Sequence, residues 1–256
     1  MSLRPLQAGS QQTSNRLLDA LSPACRTLLM ERSVPVSLPQ GTVLFEEQVS
    51  PRYCYFLTSG IASTITTTSA GDSAEVGLIG HEGMVGGLHL LGPARVPAQS
   101  IVQVDAKGLR MSLAELRVIF QSSHEIRTRI LEFIQNEALT TIQIAGCHRL
   151  HGTPERLSRW LLMVQDRVQS DELKLTHSFL ALMLGIRRPT VTLVARSLQE
   201  RGLLELHRGS LRVVDRTRLE AMSCDCYKTA QELYRGLYSH KSVSYTHLTL
   251  PTKRIV

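Results

Sequence analysis

Residues 176–204 read THSFLALMLGIRRPTVTLVARSLQERGLL, a stretch that predicts two short helices joined by a tight turn. Thr176 is placed to cap the first helix, because its hydroxyl can accept a hydrogen bond from a free backbone N–H. Gly185 supplies a left-handed turn without steric cost. The second helix is expected to begin near residues 187–190, where Pro189 suits a first helical turn. This order of helix, glycine turn and helix is typical of the helix-turn-helix that reads DNA.

Both predicted helices are amphipathic. Apolar side chains recur at three- and four-residue spacing in the first helix (Phe179, Leu180, Met183, Leu184) and in the second (Val191, Val194, Ala195, Leu198). The opposite face of the second helix carries Arg188, Thr192, Arg196 and Gln199. Arginine binds guanine through two parallel hydrogen bonds, so this face is predicted to enter a major groove. The alternative is a surface helical hairpin whose basic face is only solvated.

A predicted β-hairpin follows the two helices. Its strands are expected at residues 203–206 and 211–214, with the turn at residues 209–210. A hairpin behind a recognition helix forms a "wing", from which Arg208 and Arg212 would reach phosphate. Residues 174–218 hold nine Lys/Arg against three Asp/Glu, a net charge of +6 in a chain whose total is +7. Such clustering is the electrostatic signature of a protein that binds the phosphate backbone.

Composition narrows the class of protein further. The chain has 256 residues, 43% of them hydrophobic, which is enough for one large or two modest globular domains. It has no apolar run of about 18 residues and no apolar signal core near its start. Its five cysteines are irregularly spaced and odd in number, unlike a disulfide framework. We therefore expect a cytoplasmic protein in a reducing compartment.

The first half of the chain predicts a helical segment and then a β-domain. Helical spacing covers residues 15–31, where Pro23 begins a second turn. Short strand-like runs follow, separated by glycine- and proline-containing turns, at residues 34–38, 42–46, 53–58, 61–67, 75–79, 100–104 and 108–111. Many short strands at even spacing favour a jelly-roll β-barrel.

The period becomes helical again after Ser112. A short helix to about residue 120 precedes a long one over residues 123–150, about 42 Å at 1.5 Å per residue. The long helix has an apolar stripe made of Leu131, Ile134, Ala138, Ile142 and Ala145. A stripe of this length usually needs a partner, and a second copy of the same helix would provide one in a dimer. The alternative is that the helix packs only on its own domain.

Another helix is predicted from Thr153–Pro154, a capping residue followed by proline. Its expected buried face consists of Leu157, Trp160, Leu161 and Val164. Gly152 and Thr153 mark the expected hinge between two domains.

Several segments of the chain resemble the cyclic-AMP receptor/fumarate-nitrate regulator (CRP/FNR) family of bacterial transcription factors. The resemblance extends over residues 30–228 and is most specific at RLSRWLLMVQDRV (156–168), DELKLTHSFLALMLGIRRPTVT (171–192) and LQERGLLELHRGSLRVVDR (198–216). It is weaker at LPQGTVLFEEQ (38–48), YCYFLTSGIAS (53–63) and EVGLIGHEGMVGG (75–87). The implied fold is α+β: a cyclic-nucleotide-binding-like jelly roll, a long dimerisation helix and a C-terminal winged helix-turn-helix.

The resemblance implies a homodimer that binds a two-fold DNA site beside a promoter, with RNA polymerase as a further partner. Matched residue by residue, the positions expected to contact DNA are Thr176, Arg187, Arg188, Pro189, Thr190, Thr192, Arg196 and Arg208, with Thr190 toward phosphate. The best-known member of the family has Arg at the position of Leu193 and Glu at that of Pro189. The preferred DNA site is therefore expected to differ.

The sensor half departs from the cyclic-nucleotide binders that it resembles. Their Gly-Glu-Leu motif, whose Glu takes the ribose hydroxyl, is here Gly86, Gly87 and Leu88. Their Arg-Ser pair, which takes the cyclic phosphate, falls near Ala98 and Gln99. Without that charge-assisted partner, this degenerate effector pocket is not expected to bind cyclic AMP. Arg95 lies close in sequence and is an alternative cation.

We expect no metal, no cofactor and no catalytic site. Residues 1–24 contain no Cys for the iron–sulfur centre that the oxygen-sensing branch of the family carries. Three sets of residues invite a metal interpretation: His81, Glu82 and His89; Cys147, His148 and His151; and Cys224 with Cys226. The first set lacks the spacing of a cupin metal site, and the third lacks a second pair at zinc spacing. The second set could bind metal or haem across a dimer, but we expect it to be a surface cap of the helix.

The expected domains are a disordered N-terminus (1–14), a sensor domain (15–122), a dimerisation helix (123–151), a DNA-binding domain (152–228) and a C-terminal extension (229–256). Residues 242–256 resemble translated sequencing-adapter DNA, so we expect them to be artefactual. Two other functions stay open. One is a jelly-roll protein that binds a small molecule or metal and uses its basic domain for protein contacts; the other is a DNA-binding protein whose sensor domain responds to no signal.

Overall fold

The computed structural model describes residues 15–92 and 95–239. The expectations for residues 1–14 and 242–256 lie outside the described residues. The described chain begins with helices α1, Arg16–Asp19, and α2, Pro23–Glu31. The side chain of Asn15 accepts a hydrogen bond from the backbone N–H of Leu18, and that of Ser22 accepts from Cys25. The helical prediction for residues 15–31 is confirmed, with a break ahead of Pro23.

Six antiparallel strands form the β-domain: β1, Val34–Leu38; β2, Val43–Phe45; β3, Tyr53–Thr67; β4, Ser73–Ile79; β5, Met84–Val85; and β6, Gln99–Ser112. Strand β6 pairs with β1, β2 and β3, and β3 pairs also with β4 and β5. The predicted jelly-roll type of domain is confirmed.

Two expected strand breaks were wrong. Residues 53–58 and 61–67 belong to the single strand β3, and residues 100–104 and 108–111 to the single strand β6. Gly60 has a positive φ of 76°, and the pairing register between β3 and β6 shifts around it. The glycine therefore creates a β-bulge, which bends the strand without reversing it. Sequence alone does not separate a bulge from a turn when both use Ser-Gly.

Helix α3, Leu113–Ser122, and the long helix α4, His124–Leu150, follow the sheet. Ile126, Ile130 and Phe133 of α4 are buried in the core of the β-domain. Ile134, which we predicted in the apolar dimerisation stripe, is only 8% exposed and belongs to the same core. The N-terminal half of α4 therefore packs on its own domain. The stripe residues of its C-terminal half, Ala138, Ile142 and Ala145, are exposed.

The second domain contains α5, Thr153–Val168; β7, Glu172–Leu173; α6, His177–Leu184; α7, Arg188–Glu200; β8, Leu204–His207; β9, Ser210–Val213; α8, Arg216–Met222; and α9, Cys226–Gly236. Helices α6 and α7 are bent by 109° relative to each other, within the usual range for a helix-turn-helix of about 90–120°. The predicted helix-turn-helix is confirmed: Thr176 caps α6, Gly185 adopts φ 60°, and Pro189 lies in the first turn of α7.

The wing differs from its prediction in two respects. It has a third strand, β7, which pairs Glu172 with Arg212 and is too short to give a sequence pattern. Its turn lies one residue earlier than expected, because His207 pairs with Ser210 and Gly209 takes the positive φ of 84°.

The two domains share a hydrophobic core. Ile61, Ile65 and Leu78 of the β-domain belong to the same buried cluster as α5 and α6. Beside it, the buried Arg167 side chain of α5 forms a salt bridge of 2.7 Å with Glu82. Helix α9 returns along α4, where Asn136 Nδ2 donates to the carbonyl of Leu233 at 2.8 Å. The predicted boundary at residues 228–229 falls inside this helix.

Candidate nucleic-acid interface and effector pocket

The outward face of α7 is basic and open. Arg188 and Arg196 are exposed, and together with Pro189, Thr192 and Leu193 they line a shallow concave surface of about 450 Å³. The helix has 13 residues, which corresponds to about 20 Å. Its inner face, at Val191, Ala195 and Leu198, is buried in the domain core. The basic face is thus held on a packed element that can lie in a groove of DNA.

His177 supports this face, although sequence reasoning did not select it. Its Nδ1 lies 3.0 Å from Thr192 Oγ1, and Thr192 Oγ1 also donates to the carbonyl of Arg188 at 3.1 Å. Burial lowers the pKa of His177, and the nearby charges of Arg188 and Arg196 lower it further. The imidazole is therefore neutral near pH 7, where it fixes the orientation of Thr192. No sequence signal marked His177, because the contact joins two helices.

The remaining predicted DNA contacts occupy different environments. Arg187 and Thr190 are exposed at the start of α7, and Arg208 is exposed at the turn of the wing. Thr176 uses its hydroxyl to accept a hydrogen bond from the backbone N–H of Phe179 at 3.2 Å. Arg212 lies 3.5 Å from Glu205 on the neighbouring strand. Arg208 is therefore better placed than Arg212 to contact phosphate.

A cavity of about 550 Å³ lies between the β-domain and α4. Four predicted pocket residues, Gly86, Gly87, Leu88 and Ala98, lie in its wall. Gln99 does not; its side chain donates to Glu46 at 2.6 Å. Most of the other lining residues are apolar, among them Phe45, Val76, Ile79, Met84, Phe133, Ile134 and Ile142. Among the described residues that line the cavity there is no Lys or Arg, and Arg95 is exposed outside it.

Two titratable side chains line this cavity. His89 is 4% exposed, and its Nε2 has no hydrogen-bond partner among the described residues. Burial lowers the pKa of His89, and Arg117 lowers it further. Burial also raises the pKa of Glu137 to about 8, with Glu82 adding to the rise and Arg167 opposing it. Both side chains are therefore mainly neutral at pH 7, and the cavity offers an apolar, uncharged interior.

Comparison with known domain families identifies the family of the protein. The Crp-like helix-turn-helix domain matches residues 155–222, and the cyclic nucleotide-binding domain matches residues 35–123. The chain belongs to the CRP/FNR family. It is a transcription regulator with a DNA-binding helix-turn-helix, as the resemblance implied. A search of curated proteins found no match.

Solved structures share the fold of this CRP/FNR regulator at low sequence identity. A putative regulator of the family from Eubacterium rectale is 18% identical, with a TM-score of 0.66 over 82% of this chain and 99% of that one. The c-di-GMP responsive global regulator CLP of Xanthomonas campestris is 19% identical, with a TM-score of 0.63 over 76% and 100%. FixK2 of Bradyrhizobium japonicum is 15% identical, with a TM-score of 0.60 over 75% and 98%.

No single helix in the described ranges is long and apolar enough to cross a membrane; only the bent pair α6 and α7 would pass such a test, by length and composition.

In the structure of this CRP/FNR regulator, the residues considered as metal ligands are grouped differently from the sequence expectation. His81 and His89 do not converge with Glu82: His81 Nε2 lies 3.2 Å from the hydroxyl of Tyr234, and Glu82 is engaged by Arg167. His148 lies 3.3 Å from Arg156 Nη2. Burial lowers the pKa of His148 to about 4, with Arg156 and Arg159 contributing.

The other candidates come together. Cys147 and His151, at the end of α4, meet Cys224 and Cys226, which precede and begin α9. Sequence reasoning treated the two sets separately and so missed this cluster.

Proposed function

We propose that this CRP/FNR regulator is a homodimer that recognises a two-fold DNA site by placing α7 of each protomer in a major groove. The observation that carries the proposal is the outward face of α7, where Arg188 and Arg196 are exposed on either side of the half-buried Thr192, on a helix whose inner side is packed in the domain core. Arg187, Pro189 and Thr190 extend the contact at the start of the helix, and Arg208 extends it through the wing. A regulator of bacterial promoters must reach the chromosome, so we place it in the cytoplasm.

The exposed half of α4 supports dimerisation. Ile142 is 69% exposed, and Leu131, Ala138, Leu139 and Ala145 are exposed beside it. Apolar side chains repeated along one helix are normally covered by a second helix. A second copy of the chain would present the same stripe, and two-fold packing of the two helices would place both α7 helices on one side of the dimer. Ile134 contributes from within the core, by fixing the position of the helix.

The effector pocket is proposed to reject cyclic AMP. A cyclic phosphate needs a cation or several hydrogen-bond donors once it leaves water. Gly87 and Ala98 supply no such group, and the two titratable lining residues are neutral at pH 7. Because the cavity is apolar, a compact and uncharged effector would fit it better. Contact with RNA polymerase is proposed from the family resemblance alone.

Selection of binding sites from random DNA by the purified protein tests the proposal. We expect an enriched motif with two-fold symmetry, its half-sites centred about 34 Å apart, one turn of the duplex. Enrichment of a single unrepeated half-site, or of no motif at all, would contradict it. A matched selection with the Lys228→Ala variant, which removes an exposed charge on α9 away from α7, should return the same motif.

A further inference from the structure

Three cysteines and one histidine converge where the long helix meets the C-terminal segment of the DNA-binding domain. Cys147 lies in the last turn of α4 and His151 caps that helix, while Cys224 and Cys226 flank Asp225 at the start of α9. Each residue offers one donor atom, and all four donor atoms lie within 4.8 Å of one another. Among the residues that the structure describes, this is the only such group of potential metal ligands.

Two of the distances between donor atoms are close to those around a tetrahedral ion. Zinc bonds of about 2.3 Å to sulfur and about 2.0 Å to nitrogen place tetrahedral sulfur atoms about 3.8 Å apart, and sulfur and nitrogen about 3.5 Å apart. The Sγ atoms of Cys147 and Cys224 are 3.5 Å apart, and Cys226 Sγ is 3.5 Å from His151 Nδ1. We propose that Cys147, His151, Cys224 and Cys226 bind a single zinc ion in each chain.

The surroundings of these residues orient them for coordination. His151 Nδ1 faces Cys226 Sγ, while its Nε2 lies 3.6 Å from Asp225 Oδ1. A carboxylate at the second ring nitrogen of a metal-bound histidine is a common arrangement, because it fixes the tautomer that leaves the first nitrogen free to bind. Gln143 Nε2 donates to Cys226 Sγ at 3.1 Å. Donation of this kind stabilises a thiolate.

Local charge also favours a bound cation with three thiolates. Zinc with three thiolates and a neutral imidazole carries a net charge of about −1, and the guanidinium of Arg156 interacts electrostatically with both Cys147 and Cys224. Burial, reinforced by Cys147 and Cys226, raises the pKa of Cys224 to about 12. Zinc binds Cys224 as a thiolate, so binding releases its thiol proton to water. His151 is partly exposed and leaves a path for the ion.

The chemistry of the site is structural. Four protein ligands fill a tetrahedral zinc ion and leave no position for substrate, which is typical of structural and not catalytic zinc. The ligands come from both sides of Gly152, the expected hinge, since Cys147 belongs to α4 and Cys224 lies in the C-terminal segment of the DNA-binding domain. A bound ion would therefore fix the end of the long helix to the DNA-binding domain, whatever DNA sequence that domain recognises.

Metal analysis of the full-length protein tests the proposal directly. Protein expressed with added zinc and purified under a thiol reductant should contain about one zinc ion per chain, measured by inductively coupled plasma mass spectrometry. Cys224→Ser and His151→Ala should lose most of it, whereas the control Cys25→Ser, at a cysteine in α2 outside the cluster, should retain it. Asp225→Asn should keep the site but weaken zinc affinity by about 10–100-fold.

A second measurement does not depend on the folding of any variant. After chelation, the wild-type protein should bind Co²⁺ at a one-to-one ratio, with the thiolate charge-transfer and visible bands of a tetrahedral site. Less than about 0.1 zinc per chain together with no such cobalt spectrum would overturn the proposal. A Cys147–Cys224 disulfide in protein purified under reductant would also overturn it, as would full zinc content in both Cys224→Ser and His151→Ala.

Discussion

Trp160 Nε1 of α5 donates a hydrogen bond of 2.8 Å to Glu75 Oε1 of β4, across the junction between the DNA-binding and sensor domains. Both side chains are buried, and the hydroxyl of Ser63 donates to the other carboxylate oxygen at 2.7 Å. Burial raises the pKa of Glu75 to about 7, although the hydrogen bonds from Ser63 and Trp160 and the charges of Arg159 and Arg167 oppose the rise. The domain junction therefore contains a carboxyl group that titrates near neutral pH.

The first prediction is that stability falls as this carboxyl group ionises. The pKa of Glu75 is raised in the folded protein, so its favourable contribution is complete below the ordinary pKa of 4.5 and is lost as pH rises through about 7. Between pH 6 and pH 8 the loss is on the order of 1 kcal/mol in the free energy of unfolding. Other buried groups, among them Glu137 with its pKa raised to about 8, also change the stability of wild type over this range, so urea denaturation at the two pH values is compared between wild type and a Glu75 variant.

The variant Glu75→Gln isolates this group from Glu137, whose pKa is raised in the same direction, and from His89 and His148, whose pKa values shift in the opposite direction. We expect the variant to become more stable relative to wild type at pH 8 than at pH 6, by about the same 1 kcal/mol. An identical pH dependence in the two proteins would show that Glu75 does not titrate in this range.

The second prediction separates base contacts from phosphate contacts. Arg188→Ala should weaken binding to the selected site by about 1–3 kcal/mol and relax the preference at one base pair. Arg208→Ala should weaken binding to all sequences alike. It should also reduce the slope of log affinity against log salt concentration by about 1, the change expected for one lost phosphate contact. Fluorescence anisotropy on matched and mutated duplexes at several salt concentrations measures both effects. If the Arg188→Ala variant keeps the wild-type sequence preference, the claim that α7 reads the bases through Arg188 is wrong.

The third prediction concerns the dimer. Ile142→Glu and Ala145→Glu place a carboxylate in the exposed stripe of α4 and should yield monomers, because an unpaired charge in an apolar interface is costly. The control Val118→Glu changes another exposed apolar side chain, on α3, and should leave the dimer intact. Sedimentation or light scattering gives the mass of each protein. A monomeric wild-type chain would refute this part of the account, as would dimers of unchanged stability in both α4 variants.

The fourth prediction is that cyclic AMP does not bind. A ligand present at about 1,000 times its Kd stabilises a protein by about 4 kcal/mol, which moves the melting temperature by several degrees. We expect no shift with cyclic AMP at about 1 mM, because neither Gly87 nor Ala98 supplies the missing polar groups. A saturable shift, with matching heat by calorimetry, would mean that another cation reaches the phosphate.

The helix-turn-helix could be predicted almost to the residue because its signals are local. Thr176, Gly185 and Pro189 each act through their own backbone position, so each marks the chain whatever surrounds it. The pairing of strands, in both domains, was harder to predict. The bulge at Gly60 and the two-residue strand β7 depend on which strands pair, and that information is absent from a short window of sequence.

Contacts between distant segments were the hardest to predict. Cys147 and Cys224 are 77 residues apart, and neither segment alone has the ligand spacing of a metal site. The bond between Glu75 and Trp160 joins residues 85 apart. Likewise, Ile134 fits the dimer stripe by helical period, yet the β-domain covers that part of α4. In each case the tertiary packing, and not the local pattern, decides the role of the residue.

The central claim is that α7 reads DNA sequence, and the most direct test is the affinity of the wild-type protein for its selected two-fold site relative to a scrambled duplex at physiological salt. The account predicts binding at least about 1,000-fold tighter to the selected site. Equal affinity for the two duplexes would contradict it.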